Sequence, residues 1–225
     1  MTKAYIGLDV HKASIVIALA LEGRSDPELY GKASSDLNSF LKVLRRVMDK
    51  YDLAKEDVAL CYEAGPTGFV LVRRLRDLGF ACEVVAPSLI PVKASDRVKT
   101  DRRDAGKLAR LFRAGELTFV HVPDATDEVI RDVGRARTDA VEIQTRTRQQ
   151  LGALLLRNGY HYTGSTWTEP HMRYLRELVL PDPAQKVVLE EYLQRIDTAV
   201  QQVARIEHQM ESLLQDWARR DFVEA

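Results

Sequence analysis

Apolar and polar positions alternate along the start of the chain. They predict two strands, residues 4–10 (AYIGLDV) and 14–21 (SIVIALAL), joined by His11, Lys12 and Ala13 as an antiparallel hairpin. A weaker strand pattern follows at 29–33. The period then lengthens: Leu37, Phe40, Leu41, Leu44 and Val47 or Met48 share one helical face that runs to about Lys50, with Ser35 or Asp36 placed to cap it. Residues 58–62 read as a short strand, AGPTG as a turn, 68–78 as a helix and 81–86 as a strand ahead of Pro87. Hairpin, helix, strand, helix, strand predicts an α/β fold, a mixed sheet covered by helices whose later strands join through right-handed crossovers.

Beyond residue 120 the pattern is helical. From Thr126 to Arg157 the spacing of Ile130, Val133, Arg137, Val141, Gln144, Leu151 and Leu155 predicts one long helix with a polar middle. Residues 158–183, rich in Gly, Thr, Pro, Tyr and Trp, read as a connector with a short helix at 171–179. From Ala184 to Trp217 apolar residues recur at alternating spacings of four and three, broken only where Glu207 takes a seam position. Two packings satisfy that stripe: a coiled coil that makes a homo-oligomer, or one helix of a bundle within the chain. The expected divisions are 1–125, an α/β domain; 126–183, an Arg-rich helix and connector; and 184–225, a coiled-coil or dimerisation helix.

Composition adds exclusions. An apolar fraction of 45% and a charged fraction of 29% belong to an ordinary globular chain. No apolar run reaches the roughly 18 residues of a membrane span, and MTKAYIGLDV enters a strand pattern at once, so neither membrane nor secretion is expected and the cytoplasm is the default. Cys61 and Cys82 each lie in an apolar stretch and read as buried thiols. His121, His161, His171 and His208 show no zinc spacing with them, and AGPTG lacks the lysine of a phosphate-binding loop.

The candidate chemistry lies in four acids. Asp9 interrupts an otherwise apolar strand, where burial would cost free energy without a purpose. Glu63 ends VALCYE just before the turn, at the strand edge where α/β folds place ligands. Asp101 and Asp104 open the helix DRRDAGKLARLF, and their spacing of three puts them on the stripe continued by Ala105, Leu108 and Phe112. Singly, each acid has a plain reading as a helix-start residue, a turn cap beside His11 or an exposed strand end. Together they would repel one another unless divalent cations, Mg2+ or Mn2+, bound between them, and such a site can clamp the oxygens of a phosphodiester.

The segments YIGLDVHK, YEAGPTGF, the Val-Val-Ala-Pro strand end and KTDRRDAGKLARL, with the Arg-rich helix after them, closely resemble insertion-sequence family one-ten, the Piv-type DEDD transposases and bridge-RNA-guided recombinases. The resemblance covers nearly the whole chain. It implies a ribonuclease H-like (RuvC-like) fold in which Asp9, Glu63, Asp101 and Asp104 are the catalytic metal-binding quartet, and a terminal helix belonging to the family's coiled-coil region. It also implies DNA and a structured guide RNA as partners, and a serine nucleophile in a separate carboxyl-terminal domain that these 225 residues do not contain. Ser88, Ser95 and Ser165 lie in no segment resembling that serine's.

The net charge is zero, 33 basic against 33 acidic residues, so any nucleic-acid surface must be local. Residues 93–113 hold eight basic residues, among them Lys99, Arg102, Arg103, Lys107 and Arg110, against three aspartates. A basic rim beside a magnesium site suits a polyphosphate. Arg135, Arg137, Arg146 and Arg148 extend the basic character along the long helix, where they either grip nucleic-acid backbone or pair with Asp132, Asp139 and Glu142 on a solvated face. The expected function is the amino-terminal DEDD part of a transposase or recombinase. The competing readings are a stand-alone resolvase-type nuclease and a noncatalytic RNA-binding or dimerisation module.

Overall fold

The computed structural model describes residues 3–91 and 101–214, apart from the side chains of residues 101 and 102. The chain divides at Pro123/Asp124 into two compact units.

The first unit is built on a five-stranded sheet in the order β3-β2-β1-β4-β5, with β1 Ala4–Val10, β2 Ser14–Leu21, β3 Glu28–Ser34, β4 Val58–Glu63 and β5 Ala81–Val85. The hairpin strands β1, β2 and β3 pair antiparallel, and β4 and β5 run parallel to β1. This mixed arrangement, with helices on both faces, is the ribonuclease H-like one expected. The weak signal for β3 has a local cause. The register shifts opposite Ile17 and Ala18, beside Gly31 at φ +151°, so the strand departs from clean alternation.

One sheet face buries Ala4, Ile6 and Leu8 with Val58, Leu60 and Tyr62. It lies against Phe40, Leu44 and Val47 of α1 (Leu37–Lys50) and Val72 and Leu75 of α2 (Val70–Asp77). Asp36 is the α1 cap: its Oδ2 accepts the Ser39 N–H at 2.8 Å, which holds its carboxyl below the usual range. Ser35, the other candidate, instead donates through Oγ to Lys12 O at 2.8 Å. The second face carries α3 (Asp101–Ala114), with Ala105 and Ala109 packed on Val16, Ala18 and Ala20, and Leu108 and Leu111 on Cys61 and Val85. Both cysteines are buried and unbonded; burial pushes the Cys82 thiol up to about 12.

The second unit is helical: α4 Ala125–Arg157, α5 Glu169–Glu177 and α6 Pro183–Leu214. Leu151 and Leu155 pack with Leu175, Leu189, Leu193 and Ile196 in one core. Gln185 Nε2 donates to Asn158 Oδ1 at 2.8 Å, and Arg137 pairs with Glu207 near the other end, so α4 and α6 run antiparallel. The first half of the predicted seam is therefore covered within the chain, and the Arg-rich helix and the terminal helix share a unit. Glu207, the break in the seam, accepts from Arg137 Nε at 2.9 Å and Nη2 at 2.6 Å. Among the described residues, no helix is long and apolar enough to cross a membrane.

Candidate active site

The α3 face of the sheet carries two of the predicted acids, Asp9 and Glu63, at its strand ends. Side chains alternate along a strand, so Tyr5, Gly7 and Asp9 share one face of β1, and Ala59, Cys61 and Glu63 share the same face of β4. The parallel register pairs Gly7 with Cys61 and Leu8 with Tyr62; one residue further along, Asp9 and Glu63 stand at the carboxyl ends of strands about 4.8 Å apart. Both are half-buried.

Gly7 sets the height of α3. A Cβ on it would stand 2.3 Å from Ala105 O, 2.5 Å from Ala109 N and 2.9 Å from Leu108 Cβ, so only a glycine lets the helix backbone lie directly on β1. The direction of α3 follows from its far end. Phe112 meets Tyr5 edge-on at 5.4 Å, and Arg113 Nη1 donates to Leu21 O at 2.9 Å, beside the start of β1. The helix thus runs against β1, and its first turn reaches the end that carries Asp9. Asp104 is half-buried one turn before Leu108, on the face that meets the sheet. Asp101 is the first residue of α3; its side chain lies outside the described residues.

Two local devices hold the strand ends. His11 Nε2 lies 3.0 Å from Asp9 Oδ2. Buried Tyr62 donates its hydroxyl to Gly68 O at 3.0 Å, fixing the turn that follows Glu63, and burial raises its pKa. Neither device was read from the sequence as a fixed contact. In the sequence His11 has only its nearness to Asp9 to recommend it, and Tyr62 is one residue of the short strand at 58–62. Among the described residues, no group of three or more His, Cys, Asp or Glu side chains stands ready to hold a metal ion. The donors available, Asp9, Glu63 and Asp104, are all carboxylates, which suits a hard cation such as Mg2+ rather than zinc.

The basic residues scatter more widely. Lys99 and the Arg102 side chain lie outside the described residues. Arg103 is exposed on α3, with Lys107 and Arg110 half-buried. On α4, Arg135 Nη1 pairs with Asp132 at 2.8 Å, as the solvated-face reading expects, and Arg137 is engaged by Glu207. Arg146 is exposed. Arg148 stacks over Trp167 at 5.4 Å, with its Nε buried and lacking a hydrogen-bond partner among the described residues.

Residues 6–158 match a transposase family, DEDD_Tnp_IS110. A relative from Sinorhizobium fredii, "Putative transposase y4qE", is 45% identical over 196 residues, covering 86% of this chain and 49% of its own length. A second, "Transposase for insertion sequence element IS1533" from Leptospira borgpetersenii, is 34% identical over 219 residues, covering 91% of this chain and 62% of its own. The chain thus spans about half to six-tenths of the length of these relatives. A solved structure of Thermus thermophilus RuvC aligns at a TM-score of 0.31 and 14% identity, over 52% of this chain and 99% of that one.

Proposed function

Because the chain belongs to the DEDD transposase family of the IS110 type, we propose that its α/β unit is a metal-dependent phosphoryl-transfer domain in which Asp9, Glu63, Asp101 and Asp104 hold magnesium, or manganese in its place. One observation carries this reading: α3, seated on Gly7 and running against β1, brings its opening turn to the strand ends and the sheet face of Asp9 and Glu63. Acids gathered in this way repel one another, and a divalent cation relieves that repulsion. When bound, the cation supplies charge stabilisation and orientation at the oxygens of a phosphodiester.

The chain's own residues do the rest. Tyr62 fixes the turn after Glu63, so that the acid sits on a rigid strand end, and Gly7 sets the distance from which α3 presents Asp101 and Asp104. Lys99, Arg102, Arg103, Lys107 and Arg110, close together in the sequence in and just before α3, supply the positive charge that a polyphosphate substrate calls for. The partners in this reading are DNA and a structured guide RNA, with Arg146 and Arg148 of the helical unit contributing backbone contacts. In this reading the stretch binds nucleic acid, and strand exchange draws in addition on a serine nucleophile of the kind the family resemblance implies.

Titration calorimetry with Mg2+ and Mn2+ tests the assignment. Glu63→Ala and Asp101→Ala, each checked for fold by circular dichroism, should lose the binding seen in the parent chain. Unchanged affinity in both would overturn the quartet.

A further inference from the structure

We infer that His11 is a positioning residue for the metal site, a donor that sets the Asp9 carboxylate in its ligating orientation. The inference rests on the metal reading above and adds a residue to it. Its observation is the 3.0 Å approach of His11 Nε2 to Asp9 Oδ2, together with a hairpin loop built to hold the imidazole there.

The loop is pinned from both sides. His11 N donates to Ser14 O at 2.8 Å, closing the hairpin at its base. Ser35, where β3 gives way to α1, donates through N to Ala13 O at 3.2 Å and through Oγ to Lys12 O at 2.8 Å. All three loop residues are thus tied to the sheet or to the neighbouring strand's end, and His11 has little backbone freedom despite its exposed position.

The chemistry sets the direction of the hydrogen bond. An ionised carboxylate only accepts, so the proton lies on Nε2 and the imidazole donates. The His11 side chain is 49% exposed, and a surface pair of this kind contributes little to folding. Its effect is orientational. Asp9 stands at a strand end where its carboxylate could turn toward solvent; the donor holds one rotamer, and an ionised carboxylate keeps lone pairs for a cation besides. Partners that orient a ligand in this way typically change metal affinity by about 10- to 100-fold when removed.

The test is Mn2+ binding, followed by the electron paramagnetic resonance signal of the free ion, in the parent chain and in His11→Phe, His11→Gln and Asp9→Asn. Phenylalanine keeps the ring without a donor, whereas the glutamine amide offers N–H at nearly the same reach as Nε2. His11→Phe should weaken binding by about tenfold or more, His11→Gln should recover most of the loss, and the metal-free melting temperatures should stay at the parent value. Parent affinity in His11→Phe, with binding still lost in Asp9→Asn, overturns the role of His11 and leaves the metal site standing. Equal weakening in His11→Gln and His11→Phe also overturns it, as does a loss of metal-free stability that matches the loss of affinity. Unchanged binding in Asp9→Asn would instead defeat the metal reading itself, and the inference with it.

Discussion

Gly7 lies directly beneath Ala105: a Cβ on the glycine would stand 2.3 Å from the alanine's carbonyl oxygen. The contact is backbone against backbone, so neither partner can turn aside as a side chain would. Gly7→Ala must lift α3 from β1. The expected cost is about 1–3 kcal/mol, typical of overpacking in a core. Metal affinity should fall as well, because the helix carries Asp104 with it. Chemical denaturation and Mn2+ titration of the one variant check both, and parent values in both would show that α3 tolerates the shift.

Tyr62→Phe removes the hydroxyl bonded to Gly68 O and leaves that carbonyl to find another partner. A loss of roughly 0.5–1.5 kcal/mol is expected in denaturant unfolding, with faster amide exchange through residues 64–69. An unaltered exchange pattern would mean that the turn after Glu63 holds without the tyrosine.

His171 gives the helical unit a pH dependence. It is 3% exposed, and burial holds its pKa below the ordinary 6.5. Its Nδ1 accepts the Trp167 N–H at 2.9 Å, a bond that protonation of Nδ1 would destroy. The folded state therefore binds this proton less readily than the unfolded chain does. The contribution to stability is complete above about pH 6.5 and is lost as the pH falls through the depressed folded value. Unfolding followed by circular dichroism at a series of pH values should show a steeper acid loss in the parent than in His171→Phe; parallel curves would refute the linkage.

Ile196 is 1% exposed in the core shared by α4, α5 and α6. Ile196→Glu should therefore unfold the helical unit, since an unpaired buried charge is among the costliest substitutions. The milder Leu193→Ala should cost about 2–5 kcal/mol. Sedimentation together with thermal unfolding separates the cases: a variant that keeps its fold and only changes its oligomeric state would place the seam between chains.

Much of the fold was legible because periodicity marks a buried face. The strands of the hairpin, the α1 stripe through Phe40 and Leu44, and the long helix ending at Arg157 all follow from spacing alone. Spacing does not say what covers a face. The α6 stripe reads first as a coiled coil, with a helix of a bundle within the chain as the alternative, and the packing of Leu189, Leu193 and Ile196 with Leu151 and Leu155 fits the alternative at that end. Glu207 looked like a flaw in the seam because its partner, Arg137, lies 70 residues away in sequence. The acids of the candidate site stood out because Asp9 breaks an apolar strand. His11 did not, since a histidine in a turn is ordinary until its distance to Asp9 is known. Gly7 carried no signal at all, because close approach of a helix belongs to packing and not to the local pattern.

In the proposed metal site, the strand ends of β1 and β4 and the opening turn of α3 share one cation. Crystals of the protein soaked in Mn2+ and measured for anomalous scattering test it most directly. A peak is expected between Asp9, Glu63, Asp101 and Asp104, with carboxylate oxygens within about 2.5 Å of the ion. Four ordered acids with no peak among them, or a peak held by other residues, would contradict it.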